Sequence, residues 1–383
     1  MRPLYFDHNA TTPVAPAVRE AMLPLLGEVF GNPSSGHAWG LDAKEALEAA
    51  RGQVAALINA EPDEIHFTSC ATEANNTVIQ GLLADGGGMV TSAVEHPSVL
   101  GPAREMARRG AGLAVLPVNR EGVIDPEQAG EAIGPETRLV SVMLANNETG
   151  AIQPVWELAE VCRTQGALLH SDAAQAVGKI PVDVRRLDVD FLTIAGHKLN
   201  APKGVGALFV RRGANLPPLL FGGGQESGLR PGTENTAFCV GLGAACALAG
   251  RKLEEEMARR RKLGDILLDG LRHLGTDFMV FSEGTRRLPN TLLAGFRGLE
   301  AGRIVEGLAL RDVGVSAGAA CHGPGASGGS SEGRISHVLE AMRAPQEYAL
   351  GSVRFSWGLG TAPDDVLELV ERLGRVLAEL RRD

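Results

Sequence analysis

Seven short apolar runs between residues 65 and 210 constrain this chain more than any other feature of its sequence. They are Ile65–Phe67, Met89–Ser92, Leu113–Pro117, Leu139–Leu144, Ala167–His170, Phe191–Ile194 and Gly206–Val210, and helical or loop segments separate most of them. Upstream, Leu47, Ala50, Val54, Leu57 and Ile58 share one face of a helix predicted over 41–58. Strands alternating with helices specify an α/β fold, a mostly parallel seven-stranded sheet covered on both faces.

The alternation stops near residue 250. Arg251 to Leu274 is a charged stretch carrying Leu253, Met257, Leu263, Ile266, Leu267 and Leu271, and it reads as a surface helix leaving the first domain. Strand-like runs (Thr291–Phe296, Ser352–Trp357) then mix with helices, as in a smaller α+β domain. Thr361 and Asp364 are candidate caps of the last helix, beside Pro363; Leu367, Val370, Leu373, Leu377 and Leu380 form its predicted apolar stripe. The expected division is a large domain over 13–251 and a small domain built from 1–12 and 252–383. A Gly/Ser segment, Gly323–Gly333, is the one low-complexity stretch.

The net charge of −9 implies no basic face and argues against direct nucleic-acid binding. The longest apolar run, Phe238 to Ala249, is too short to span a bilayer, so no membrane role is expected. No basic segment followed by an apolar stretch marks a secretory signal, and the protein is expected in the cytoplasm. Five cysteines, none in a C-x-x-C pair, do not suit a disulfide framework, and no metal site is expected. Cys162, Cys239 and Cys246 read as small core residues, and Cys70 as a packing residue.

Chemistry concentrates where apolar runs end in polar clusters. Leu168-Leu169-His170-Ser171-Asp172 and Phe191-Leu192-Thr193-Ile194-Ala195-Gly196-His197-Lys198 both look like buried strands with polar carboxyl ends, where open α/β sheets place ligands. Asp172 and Lys198 would then share one crevice. Singly, such residues are often a cap and a solvated side chain. Together they match the needs of pyridoxal phosphate: a lysine to bond its aldehyde and an acid to keep its ring nitrogen protonated. The segment Thr68-Ser69-Cys70-Ala71-Thr72 leads into a helix whose N-terminus would suit the phosphate.

The sequence resembles the NifS/IscS-type cysteine desulfurases and the related selenocysteine lyases, class-V aminotransferase-like enzymes of the fold-type I pyridoxal-phosphate group. The matching segments run nearly from end to end: Asp7-His8-Asn9-Ala10-Thr11-Thr12-Pro13, Gly31-Asn32-Pro33-Ser34-Ser35, Ala71-Thr72-Glu73, Glu95-His96, Asn146-Asn147-Glu148-Thr149-Gly150, Asp172-Ala173-Ala174-Gln175, Gly196-His197-Lys198, Arg230-Pro231-Gly232-Thr233, Ala319-Ala320-Cys321 and Val353-Arg354-Phe355-Ser356.

The resemblance implies a role for each matching residue. Lys198 would hold the cofactor and move the substrate's α-proton, and His96 would stack on the pyridine ring. Asp172 would pair with the ring nitrogen and Gln175 with the phenolic oxygen. Ala71, Thr72 and His197 would bind the phosphate, and Thr233 would reach the phosphate of a neighbouring subunit, so a homodimer is expected. Arg354, with Asn147 and Asn32, would bind substrate. Cys321, beside His322 at the start of the Gly-rich loop, would take sulfur from L-cysteine as a persulfide, leave alanine and pass the sulfur to an acceptor protein.

Three features depart from the usual desulfurase pattern. Ala195 stands where many relatives carry a phosphate-binding serine. Ala-Ala-Cys-His, Pro231–Asn235 and Phe221–Glu226 resemble selenocysteine lyases as much as desulfurases, and Gly325–Gly333 looks inserted. Desulfuration of L-cysteine is the first expectation, lysis of L-selenocysteine the alternative, and a silent partner of a sulfur-transfer complex the third.

Overall fold

In the computed structural model, residues 2–318 and 335–382 are described. Their strands are β1 (Leu4–Tyr5), β2 (Ile65–Thr68), β3 (Gly88–Ser92), β4 (Gly112–Leu116), β5 (Thr137–Ser141), β6 (Leu168–Asp172), β7 (Phe191–Ala195), β8 (Gly206–Val210), β9 (Phe278–Val280), β10 (Thr291–Phe296), β11 (Val313–Gly314), β12 (Ser316–Ala317) and β13 (Ser352–Ser356). All seven apolar runs between 65 and 210 became strands, joined in the order β2-β8-β7-β6-β5-β3-β4. The pairs β3–β4, β3–β5, β5–β6 and β6–β7 are parallel, and β8 runs against both β7 and β2. Strands β6, β7 and β8 are buried almost throughout, as expected of a sheet with both faces covered.

A second, antiparallel sheet follows the order β12-β13-β10-β9. Its core draws on Phe296, Val353, Phe355 and Trp357 with Leu4 and Phe6 from the start of the chain. β1 pairs in parallel with β11, and Asp7 bridges to Ser356.

Two expectations about helices need correction. The apolar run 238–249 and the charged stretch 251–274 are one helix, Thr236–His273, rather than a run and a separate helix. Asn235 caps it by accepting from the Phe238 N–H at 3.2 Å. At about 1.5 Å per residue it is a rod of about 57 Å. Its first half packs beside the helix Ala38–Ile58, and Leu263, Leu267 and Leu271 enter the second core. By length and composition alone it would pass as a membrane span, but both halves contribute buried residues to protein cores.

The final helix, Pro363–Leu380, is not capped by Thr361 or Asp364. Its N-cap is Ala362, whose N–H donates to the Asp365 carboxylate at 2.8 Å. Its stripe is Val366, Leu369, Leu373, Val376 and Leu377, while Leu367 is 56% exposed.

Candidate active site

The carboxyl ends of β2, β3, β5, β6 and β7 open into one cleft of about 400 Å³. Asp172 closes β6; its Oδ1 accepts from the Ala174 N–H at 2.9 Å and its Oδ2 from Asn75 Nδ2 at 2.8 Å. Two donors thus aim the carboxylate, and each oxygen keeps a lone pair for a further one.

His96 caps the helix Pro97–Arg108 and lines the same cleft. Its Nδ1 accepts from the Ser98 N–H at 3.1 Å and lies 2.8 Å from Ser98 Oγ. Asn75 Nδ2 also donates to Ser98 Oγ at 2.8 Å, which turns the hydroxyl proton toward His96. With Nδ1 an acceptor, the neutral imidazole carries its proton on Nε2. Burial, aided by Lys198 and His337 against the pull of Asp172, lowers the His96 pKa and favours that neutral form.

Lys198 ends the short turn that follows β7. Its Nζ donates to the carbonyls of Asn9 at 2.5 Å and Ala10 at 2.8 Å. The Asn9 carbonyl also accepts from Gln175 Nε2 at 3.0 Å, so residues 9–10 form a ledge beneath both side chains. His197 Nδ1 sits 3.2 Å from Thr11 Oγ1, and burial together with Lys198, Lys203 and Lys179 pushes its pKa down to about 4.

The helix Ala71–Leu83 begins at the cleft, with Ala71 and Thr72 on its wall. First-turn N–H groups have no acceptor inside a helix, and with the dipole they make an anion site. Cys70, expected as packing, is half-buried and lines the cleft. Cys162, Cys239 and Cys246 are buried, and burial raises all three thiol pKa values.

Arg354 comes from β13 of the second sheet and is 3% exposed. It donates to Asp7 Oδ1 at 2.7 Å and to the Asn147 carbonyl at 3.0 Å. Its Nε is buried without a partner among the described residues. A buried guanidinium that holds back a donor is suited to a substrate carboxylate.

Other sequence candidates lie elsewhere. Asn32 is exposed, accepts from the Ser34 N–H at 2.9 Å within its own loop, and does not line the cleft. Thr233 is exposed and lines a separate pocket of about 220 Å³ with Ser69, Glu226 and Arg230. Cys321 and His322 lie outside the described residues. Ala195 is on the cleft wall, so its position offers a methyl group and no hydroxyl.

Sequence reasoning gave no role to Asp7, Asn9, Asn75, Ser98 or Lys179. Asp7 and Asn9 stood in a quoted motif, which was the available signal; Lys179 stood in none.

These residues fit pyridoxal phosphate. The cleft volume falls within the roughly 300–1,000 Å³ typical of small-molecule sites. An amine, a carboxylate, a flat neutral imidazole and a helix N-terminus converge on it from separate strand ends.

The class-V aminotransferase family model matches residues 4–369. A cysteine desulfurase IscS of Dictyoglomus turgidum is 41% identical, with 99% of this chain and 96% of that protein aligned. A cysteine desulfurase of Gluconacetobacter diazotrophicus is 43% identical over 100% of this chain and 95% of its own length. Among solved structures, a NifS-like protein matches with a TM-score of 0.91 at 33% identity, covering 99% of this chain and 100% of that one.

Proposed function

The chain belongs to the class-V aminotransferase family, and from that premise we propose how it works as a pyridoxal-phosphate-dependent cysteine desulfurase. L-cysteine is converted to L-alanine, and its sulfur passes to Cys321 and then to an acceptor protein. The carrying observation is the convergence of Lys198, Asp172 and His96 on one cleft that Arg354 also lines, its Nε unpaired among the described residues.

Bound in this cleft, pyridoxal phosphate supplies an electron sink for the bonds at the substrate's α-carbon. Lys198 would hold it, with Asp172 for its ring nitrogen and Gln175 for its phenolic oxygen. The Ala71 N–H, Thr72 and His197 would take its phosphate. Arg354, steadied by Asp7 and assisted by Asn147, fixes the substrate carboxylate, and Lys198 Nζ takes the α-proton. His96 would stack on the ring with its proton on Nε2. The Cys321 thiolate attacks the substrate sulfur; an S–S bond forms as the Cβ–S bond breaks. That bond's electron pair stays on carbon, where a proton replaces the sulfur, and return of the α-proton from Lys198 completes alanine.

A homodimer is part of this reading. Leu26, Phe30, Trp39 and Phe221 are 64%, 70%, 57% and 90% exposed, an apolar set suited to burial by a second copy. Thr233, outside its own chain's cleft, is free to reach the partner's phosphate site. The work is proposed to take place in the cytoplasm, in keeping with free thiols at all four described cysteines.

Parallel assays of alanine and chalcogenide release from L-cysteine and L-selenocysteine test the substrate. Cysteine turnover is expected, with persulfide on the wild type and none on Cys321→Ala. Selenide release without any cysteine turnover, even with a reductant or acceptor, would replace this reading by selenocysteine lysis.

A further inference from the structure

A buried amine lies beneath the floor of the cleft. Lys179 is 3% exposed, and its Nζ donates to Gln175 Oε1 at 2.6 Å and to Asn9 Oδ1 at 3.0 Å. The charged groups bearing on it, Lys198, Arg260 and Arg354, are all cations, and the rings of His8 and His197 also feel its charge. Burial first, and then those cations, hold the amine well below the ordinary lysine range. A lysine is an expensive choice for such a position unless its hydrogens do something there.

What they do follows from donor and acceptor chemistry. In this geometry the amine has hydrogens to donate in either protonation state, and the atoms facing it are oxygens. That arrangement orients the Gln175 amide. Oε1 turns back to Lys179, and Nε2 turns forward with one N–H on the Asn9 carbonyl at 3.0 Å and the other left for the cleft. The same rule fixes Asn9. Its Oδ1 accepts from Lys179 and from Asn290 Nδ2 at 3.2 Å, while its Nδ2 donates to Thr291 Oγ1 at 2.8 Å and the Asn147 carbonyl at 3.2 Å. The Asn9 carbonyl carries Lys198 Nζ.

We propose that Lys179 is a positioning residue: it keeps the Gln175 amide turned N–H-first toward the cofactor's phenolic oxygen and braces Asn9 beneath Lys198. The inference rests on the cofactor seat proposed above. Without Lys179, the Gln175 amide loses one of the two contacts that distinguish its ends and keeps the Nε2 contact to the Asn9 carbonyl; a flipped amide would present an acceptor to the phenolic oxygen.

The test is Lys179→Met, which keeps the bulk and removes the donor. Melting of the cofactor-free protein should fall only modestly, since removal of a buried amine offsets the loss of donors to the Gln175 and Asn9 oxygens. In the cofactor-loaded protein, the pH midpoint of the visible absorption band should move up by about half a unit or more, on the scale of one lost hydrogen bond. A donor on the phenolic oxygen lowers the basicity of the nitrogen contributed by Lys198, and its loss raises it. Adding Gln175→Ala should shift the midpoint no further, because one contact cannot be lost twice. Lys179→Gln, which keeps a donor, should restore part of the wild-type midpoint and provides the reading if the Met protein does not fold. An unmoved midpoint in Lys179→Met, or in Lys179→Gln where only that variant folds with its amide too short to reach, or additive shifts in the double variant, overturns the inference. A wild-type protein that takes up no pyridoxal phosphate removes the cofactor seat itself, a separate and earlier failure.

Discussion

Asn75 and Asp172 are joined by a 2.8 Å hydrogen bond, and Asn75 is fully buried. The second N–H of the same amide reaches Ser98 Oγ, whose hydroxyl contacts His96 Nδ1. One side chain therefore aims both the acid and the imidazole of the cleft. Replacing Asn75 by Leu keeps the volume and removes both donors. Loss of a hydrogen bond to a charged group costs about 1.5–3 kcal/mol, which corresponds to cofactor binding weaker by about 10- to 100-fold. Equilibrium titration with pyridoxal phosphate checks this.

Arg354 should sort binding of substrate from binding of cofactor. Lys in its place retains the charge but not the planar fork, so Arg354→Lys should raise the KM for L-cysteine by tenfold or more with cofactor uptake unchanged. Steady-state kinetics beside a cofactor titration separates the two. Equal loss of both would move Arg354 out of the substrate site.

The buried Arg51–Glu226 pair is predicted to hold the turn that precedes Arg230 and Thr233. Arg51 donates to both Glu226 oxygens at 2.7 and 2.9 Å, and the Phe67 N–H donates to Oε2 at 2.8 Å. Glu226 and Ser227 have φ of 48° and 58°, a left-handed backbone that non-glycine residues adopt only when surrounding contacts enforce it. Glu226→Ala leaves a buried guanidinium and should cost about 3–5 kcal/mol, read from denaturant unfolding of the cofactor-free protein.

Two carboxyl groups should make the cofactor-free protein less stable as pH rises. Burial pushes Glu95 up to about 8, despite hydrogen bonds from Ser92 and Met143, and Glu148 up to about 7, despite Ser336 and Arg354. Each has an Oε2 buried without a partner among the described residues. Folded pKa values above the unfolded one mean that the folded state keeps protons the unfolded state has released. Stability should therefore fall from about pH 4.5 to about 7 for Glu148 and to about 8 for Glu95, by at most about 1.4 kcal/mol per pH unit per group. Urea midpoints between pH 5 and 8.5 measure the slope, and Glu148→Gln should flatten its lower part.

Apart from the edge strand β4, the strands of the large sheet were legible because both faces are buried, which leaves continuous apolar runs in the sequence. The run 139–144 overshot because Val142, Met143 and Leu144 stay buried beyond the last paired residue of β5. The helix Thr236–His273 was divided because its environment changes midway from a core lined with small residues to a charged surface, while its backbone does not change at all. The final helix slipped by one position at Val366 and Leu367, since either residue completes an apolar period. Asp172 and Lys198 could be found because strand ends announce themselves. Asn75 and Lys179 could not: a buried amide on a helix and a buried amine in a turn acquire meaning only when topology brings them to the same floor. Thr233 and Asn32 remain outside the Lys198 cleft of a single copy.

The ledge formed by residues 9–10 bears on how the enzyme is made. It supports Lys198, yet the Asn9 side chain is held by Asn290 and Thr291, its N–H by Ser356, and the neighbouring Asp7 holds Arg354, contacts that span 281 to 347 positions of sequence. A ribosome delivers this segment long before it delivers those partners. A nascent chain halted at residue 251 would carry Asp172 and Lys198 with all seven strands of the large sheet synthesised, while the ledge beneath Lys198 would have Gln175 and Lys179 but lack its anchors from the second sheet. Competence should thus arrive in a single step late in translation, and not grow as each domain emerges.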